Sequence, residues 1–140
     1  MGDVAVTAAK VALVDPEKAD VFTGIAGVTI TAGQVVYGII SSGKLGLADE
    51  DADAEHSAVL GVALNGGGAG AAIDVVRKGR VYGFTLGAYY LAYSLSNTAG
   101  ALLDTGATTN IVGRCEPLSD NDLTKVLYVD VSLGLPTAFA

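Results

Sequence analysis

The chain of 140 residues has one cysteine, no tryptophan and few charged side chains. Because Cys115 is the only cysteine, an internal disulfide and a zinc site built from several cysteines are excluded. Glu, Lys, Arg and Gln, the usual residues of helix surfaces, number only 13, so we expect few helices. The two long uncharged segments, 21–43 and 81–103, are interrupted by glycine and hydroxyl residues. They indicate strand pairs rather than membrane spans.

Positive charge is also scarce, with 8 basic against 15 acidic residues and a net charge of −7. Proteins that bind nucleic acids gain most of their affinity from Lys and Arg, which displace counterions from phosphates. Here the only basic cluster consists of Arg77, Lys78 and Arg80. We therefore expect neither a nucleic-acid partner nor a membrane partner.

Short β-type segments make up most of the chain, separated by Gly, Asp, Asn and Ser at the spacing of sandwiches and barrels. The sequence predicts an all-β fold: a small β-barrel or sandwich of short antiparallel strands with extended terminal arms. We expect an N-terminal arm or edge strand at 1–20, a β domain at 21–131 and a C-terminal tail at 132–140. The predicted strands cover residues 4–14, 20–31, 34–40, 59–64, 72–77, 80–84, 88–94, 110–115 and 125–131, with helical turns near 15–20 and 119–122.

The β domain also shows signs of an internal repeat. Residues 31–37 align with 85–91 at an offset of 54, residues 59–61 with 111–113 at 52, and residues 72–76 with 125–129 at 53. Three matches in the same order predict that one unit of about fifty residues occurs twice, in halves 21–83 and 84–131. A chance match within a Val, Ala and Gly-rich alphabet is the alternative. Gly61 and Gly113 fall inside strands, where glycine indicates a bulge or close backbone approach.

Two glycine-rich segments resemble nucleotide-binding loops only in part. Residues 38–44 match the first seven positions of a phosphate-binding loop, but Leu45 stands where Ser or Thr would hold magnesium. Residues 66–71 fit a loose dinucleotide fingerprint, but a strand follows instead of a helix. We interpret the first as a hairpin turn and the second as a connection. A small hydrolase or nucleotide-binding protein using the first loop remains an alternative.

Acidic residues concentrate at 49–55, with five carboxylates in seven positions. Asp49, Asp51 and Asp53 imitate the start of a calcium loop, but Ala54 replaces the glycine of its sharp turn. We interpret the segment as a solvated acidic loop. His56 is the only histidine and forms no recognisable nucleophile motif. We therefore expect no catalytic residues, no cofactor and no metal site, and we expect that the protein is not an enzyme.

Aromatic residues are few, and three of the six tyrosines lie close together. In a strand, Tyr89 and Tyr93 would share one face and Tyr90 would take the other. Tyr89 and Tyr93 could thus form a platform for a sugar ring. Packing in the core or across strands is the favoured interpretation, and the platform is the alternative.

The order of the segments resembles a known class of viral proteins. Its residues are 30–37 (ITAGQVVY), 43–49 (GKLGLAD), 59–64 (VLGVAL), 73–76 (IDVV) and 79–83 (GRVYG), then 89–91, 99–102, 111–113 and 125–129. This pattern over residues 25–131 is similar to capsid decoration, or cement, proteins of tailed bacteriophages, with related modules in head fibres.

The resemblance implies a non-enzymatic structural protein on the outer surface of the capsid in the virion. Its partners would be the major capsid protein and two further copies of itself in a homotrimer, and binding would brace the shell. A head-fibre or receptor-binding module of the virion, with a glycan ligand, is the alternative.

The segments outside the repeated region are the predicted contact arms. An apolar N-terminal strand could pair with a neighbour's sheet edge, and an apolar tail could fill a partner's pocket. Intramolecular edge strands are the alternative for both. If the arms bind partners, a protein lacking residues 1–14 folds but no longer binds capsids. The predicted contact residues are Val4, Val6, Val11, Leu13, Val14, Leu135 and Phe139.

Overall fold

A computed structural model describes residues 4–49, 55–87, 89–96, 98–103, 111–118 and 124–131. Within these ranges the chain forms ten β-strands and two single turns of 3-10 helix, at Ala8–Lys10 and Pro16–Lys18. The strands are β1 Ala12–Leu13, β2 Asp20–Ile25, β3 Val35–Gly38, β4 Leu45–Leu47, β5 Val59–Ala63, β6 Ala72–Tyr82, β7 Ala92–Leu95, β8 Leu102–Leu103, β9 Ile111–Pro117 and β10 Lys125–Asp130. No helix in these ranges has the length and apolarity needed to cross a membrane.

All ten strands join one sheet with antiparallel pairing between strands, curled into a half-barrel. The order along the sheet is β4-β3-β5-β6-β10-β9-β7-β8, and β1 and β2 both pair with β6 outside this path. The predicted all-β class is therefore confirmed. The Val-rich and Gly-rich sequence explains it, since β-branched residues suit pleated strands and glycine permits tight turns.

The strand pairing of the first half recurs in the second half. β3, β4, β5 and β6 pair in the same order as β7, β8, β9 and β10. The register also recurs, because Val36 pairs with Gly61 just before a bulge, and Tyr93 pairs with Gly113 just before another. Position for position, β5 and β9 are 52 residues apart, as the sequence predicts.

The other two sequence offsets differ from the structure. β3 corresponds to β7 at an offset of 57 rather than 54, and the start of β6 corresponds to β10 at 52 rather than 53. The hairpin hydrogen bonds follow the new offset: the N–H of Ile39 donates to the carbonyl of Lys44, and the N–H of Ser96 donates to that of Ala101. The sequence alignment assumed nearly constant offsets and therefore missed these values, because the connections between strands differ in length between the two halves.

β6 takes part in both halves. Its first part pairs with β2 and β5, and its last part pairs with β1 and β10. Val75 faces Phe22 of β2, and Leu127, the counterpart of Val75 in β10, faces Val81. The last part of β6 thus occupies in the second half the place that β2 has in the first. The pairing changes at Lys78 and Gly79, a few residues before the predicted division at 83/84.

Two apolar clusters lie against the sheet. The larger cluster contains buried residues of both halves, among them Val62, Tyr93 and Leu127. The smaller cluster belongs to the first half and is centred on Ile30 and Ile73. Two separate clusters form because neighbouring residues of a strand point to opposite faces of the sheet.

Several predicted elements differ in extent from the observed ones. The strands predicted at 4–14 and 20–31 are shorter, at Ala12–Leu13 and Asp20–Ile25, and the strands β4 and β8 were not predicted. The strands predicted at 72–77 and 80–84 form the single strand β6, because Gly79 adopts φ +150° and lets the strand continue. The strand predicted at 88–94 begins only at Ala92, since Tyr89 and Tyr90 lie in a turn. The helical turn predicted near residues 15–20 is the 3-10 turn at Pro16–Lys18, while that near 119–122 lies outside the described residues.

Candidate contact surface

The N-terminal segment lies along the outer edge of the last part of β6. The N–H of Thr7 donates to the carbonyl of Gly83 at 2.8 Å, and that of Val14 donates to the carbonyl of Arg80 at 2.9 Å. β1 adds a short ladder with Val81 and Tyr82. The structure thus makes this segment an intramolecular edge strand, which was one of the two interpretations of the sequence.

Several predicted contact residues pack within the chain itself. Val4 is buried in the larger apolar cluster, and Val11 and Leu13 pack against the same cluster. Val6 remains exposed and Val14 is half-buried. Because the segment completes the core, we now expect its deletion to weaken the fold, contrary to the expectation that the truncated protein folds normally. Leu135 and Phe139 lie outside the described residues, and a partner role for all these residues stays a prediction.

Two tyrosines project from the turn that precedes β7. Tyr90 is 66% exposed and Tyr89 is 40% exposed. Large aromatic side chains expose much apolar surface to water when they lie outside a core. Adjacent exposed tyrosines therefore mark this turn as a candidate binding surface.

The backbone of Tyr90 has an unusual conformation. Its φ is +63°, and it is the one non-glycine position with positive φ among the described residues. At the corresponding place in the first half, 57 residues earlier, stands Gly33 with φ +93°. The N–H of Tyr90 donates to the backbone carbonyl of Cys115, as the N–H of Gly33 donates to the backbone carbonyl of Ala63. The strand pairing thus requires a positive φ at this position in both halves. Only in the second half does the residue carry a Cβ, which makes the left-handed backbone strained.

Tyr89 is held from one side by Lys125. The ammonium group of Lys125 lies 5.0 Å from the centre of the Tyr89 ring and donates a hydrogen bond to the carbonyl of Gly87. Lys125 also borders a cleft of about 490 Å³, together with Lys10 of the N-terminal segment and residues at and just after the end of β6, among them Phe84. The turn and the cleft form one surface, which we call the Tyr89–Tyr90 surface: Tyr89, Tyr90, Lys125 and the cleft beside them.

Tyr93 packs in the core, as the sequence favours. Its side chain is fully buried, and its hydroxyl accepts a hydrogen bond from the N–H of Gly87 at 2.7 Å. The alternative, a platform of Tyr89 and Tyr93, is wrong, because it assumed that a strand ran through both residues. The exposed pair is Tyr89 and Tyr90. A strong turn signal was absent here, since tyrosine is rare in the left-handed region.

The other motifs have structural explanations. Residues 38–44 form the hairpin turn between β3 and β4, and residues 66–71 lead directly into strand β6, as the sequence predicts. The ring of His56 stacks on Tyr37 at 4.4 Å, and its Nε2 is 2.9 Å from the Tyr37 hydroxyl. His56 thus anchors the chain before β5 to the hairpin.

Two ionisable groups near the sheet centre have shifted pKa values. Burial raises the pKa of the Cys115 thiol from its ordinary value, which favours the protonated form. Burial, together with the nearby Asp130 carboxylate, raises the pKa of the Tyr128 hydroxyl. Both shifts favour the neutral forms of these groups.

No group of three His, Cys, Asp or Glu side chains in the described ranges is arranged to hold a metal ion. Most of the acidic segment 49–55 lies outside the described residues.

Comparisons of the chain with protein-family models, with curated proteins and with solved structures find no match.

Proposed function

We propose that this protein is a structural protein of a phage virion that binds the outer surface of the capsid and stabilises it. The major capsid protein would be its partner. The proposal rests on the resemblance of residues 25–131 to decoration proteins and on the Tyr89–Tyr90 surface. An alternative, a head-fibre or receptor-binding module that binds glycans, would use the same surface.

The observation that carries the proposal is the exposed side chain of Tyr90 on a left-handed backbone. A non-glycine residue with positive φ costs about 1–2 kcal/mol. The same position in the first half is glycine, so the strand pairing does not require a side chain there. Exposed residues in strained conformations concentrate at functional sites, and tyrosine is among the residues that dominate binding energy at protein interfaces.

The net negative charge of the chain supports binding to the outer face of a capsid. With a net charge of −7, the chain would be repelled by packaged DNA, so it suits the outer face of a capsid better than the inner face. A protein that binds the assembled shell and not its dissociated subunits stabilises the shell by mass action. This stabilisation needs no chemical step, only a rigid surface that adheres.

The test is binding to capsids that lack this protein, measured by co-sedimentation. We expect Tyr90→Gly to weaken binding at least tenfold, since loss of a central tyrosine costs about 1.4 kcal/mol or more. Tyr89→Ser should act in the same direction. Ile40→Ser is the matched control, because Ile40 is 81% exposed in the hairpin turn between β3 and β4 and lies in another part of the sheet.

Capsid binding that is unchanged in Tyr90→Gly would contradict the assignment of this surface. A purified wild-type protein that does not bind capsids at all would contradict the function itself. The trimeric state implied by the resemblance is measured separately, from the mass of the free protein by light scattering.

The glycan-binding alternative is favoured by the same two exposed rings, since tyrosine offers a flat apolar face to a sugar. A glycan array separates the two functions. Binding to glycans that Tyr90→Gly abolishes, with no binding to capsids, would favour the receptor-binding module.

A further inference from the structure

The cleft of the Tyr89–Tyr90 surface opens where β6 and β10 part. Pairing between these strands ends at Val81 and Leu127, and Gly83, just after β6, adopts φ +106°. Beyond Gly83 the chain stays beside the N-terminal segment, through the bridge between Phe84 and Val6. The end of β6 therefore turns away from β10 and leaves a cleft of about 490 Å³ that both elements line.

A lysine borders this cleft on each side. Lys10 belongs to the N-terminal segment along one edge of β6, and Lys125 is the first residue of β10 along the other edge. Among the described residues that line the cleft there is no Asp or Glu. The cleft therefore carries positive charge. Its other lining residues include Phe84 and three threonines, Thr7, Thr85 and Thr124.

The two lysines of the cleft differ from the arginines of the chain. Arg77, Arg80 and Arg114 each form an ion pair with a carboxylate of the same chain. In the described part of the chain, neither Lys10 nor Lys125 forms an ion pair. The chain has 15 acidic and only 8 basic residues, so two cations without an acidic neighbour mark the cleft as a place for a negative partner.

The cleft is large enough for a segment of polypeptide. Pockets of about 300–1,000 Å³ hold ligands of drug size, which exceed a single ion by far. Threonine hydroxyls both donate and accept hydrogen bonds, as the backbone of a bound peptide requires. The Tyr89 ring, 5.0 Å from the ammonium group of Lys125, links the cleft to the exposed ring of Tyr90. A bound segment thus meets apolar, polar and positively charged groups.

We propose that this cleft binds an acidic segment of the capsid protein, whose aspartate or glutamate carboxylates pair with Lys10 and Lys125. The inference rests on the proposed function, since it names the part of the partner that the Tyr89–Tyr90 surface recognises. The tyrosine rings supply apolar contact area, and the two lysines select the charge of the segment.

The net charge of the chain makes the choice of surface specific. Most of the protein repels an acidic segment, because acidic residues outnumber basic ones. The lysines of the cleft therefore decide where such a segment docks. Complementary charges of this kind act mainly on the rate of association and on specificity. Salt screens them, so binding to capsids should weaken as sodium chloride is raised.

Charge reversal at Lys10 tests the proposal by co-sedimentation with capsids that lack this protein. We expect Lys10→Glu to weaken binding about tenfold or more, since like charges then face each other across the contact. Lys44→Glu is the matched control and should bind as the wild type does. It changes the net charge equally, and Lys44 is exposed in the hairpin turn between β3 and β4.

Removal of the charge alone separates electrostatics from packing. Lys125 donates a hydrogen bond to the carbonyl of Gly87, so its substitution also loosens the turn, whereas Lys10 makes no hydrogen bond through its side chain in the described ranges. Lys10→Met keeps most of the side-chain stem and loses the ammonium group. We expect its capsid binding to depend less on sodium chloride than that of the wild type, with an unchanged midpoint of thermal unfolding.

A synthetic peptide tests the chemistry of the cleft without capsids. We expect a fluorescently labelled peptide of alternating glutamate and alanine to bind the wild type, measured by fluorescence anisotropy, and to bind Lys10→Glu more weakly. The same peptide with glutamine in place of glutamate should not bind. A wild-type protein that binds both peptides equally, or neither, would overturn the proposal.

The outcomes distinguish this inference from the proposed function. If the wild type binds capsids and Lys10→Glu binds them as well as Lys44→Glu does, the inference is overturned and the function stands. If the wild type binds no capsids, the function fails, and the acidic peptide alone decides whether the cleft recognises carboxylates.

Discussion

The two halves of the sheet have the same strand order and register but differ in what surrounds them. In the first half Gly33 lies under Val6 of the N-terminal segment, and a Cβ built at Gly33 would be 2.4 Å from the Val6 side chain. In the second half the equivalent Tyr90 is open to solvent. The backbone pattern thus repeats, while the features that suggest binding lie where the halves depart from each other.

A second departure concerns the strand edges. The N-terminal segment covers the edge of β6 in the second half, whereas the equivalent side of β2 meets β4 only at its end, through the bridge between Ala26 and Leu45. Repetition gives the protein a stable scaffold, and each departure gives one half a surface that the other lacks. Three changes to the chain test this comparison.

Removal of residues 1–14 should have the largest effect. It removes Val4, Val11 and Leu13 from the apolar cluster that they cover and uncovers the edge of β6. Burial of each such side chain contributes about 1.5 kcal/mol, so we expect a loss of about 4 kcal/mol or more in the free energy of unfolding. Urea denaturation measures it, with Val6→Ser as a control of small effect. An unchanged midpoint would show that the segment is an arm and not part of the fold.

Substitution of either equivalent glycine, Gly61 or Gly113, by alanine should have the next largest effect on stability. The two losses should be equal. A Cβ would lie 2.2 Å from the carbonyl oxygen of Val76 at Gly61 and 2.1 Å from that of Tyr128 at Gly113. Because the obstacle is backbone, we expect each alanine variant to lose about 3 kcal/mol. Gly68→Ala is the control, since a Cβ there meets nothing within 4 Å. Markedly unequal losses in thermal unfolding would break the correspondence between the halves.

Tyr90→Gly should have the smallest effect on stability and the opposite sign. Removing the left-handed strain stabilises the protein by about 1 kcal/mol, because glycine has no Cβ and adopts positive φ without a steric penalty. Gly33→Ala should instead destabilise it, since Val6 lies over that position. A higher midpoint of thermal unfolding together with weaker capsid binding would show that Tyr90 is kept for contact. A lower midpoint would mean that its side chain supports the fold.

Much of the fold was predictable from local patterns. Eight of the ten observed strands, the hairpin at 38–44 and the importance of Gly61 and Gly113 follow from β-branched residues, turn residues and glycines in the sequence. The short strands β4 and β8 were not predicted. The exposure of Tyr89 and Tyr90 could not be predicted either, because the turn at these residues contains no glycine. An offset of 57 residues between β3 and β7 would have aligned Tyr90 with Gly33 as equivalent positions of the repeat. This offset follows only from pairing between strands that are distant in sequence.

The sequence by itself determined that the chain forms short strands, that it buries apolar side chains and that it carries excess negative charge, because these depend on residue type and spacing. Only the tertiary structure decided that Val4 belongs to the core, that Tyr93 is buried while Tyr90 is exposed, and that the N-terminal segment pairs with the last part of β6. These outcomes depend on which strands meet across the curled sheet, and strand pairing joins residues whose separation in the chain leaves no local signal.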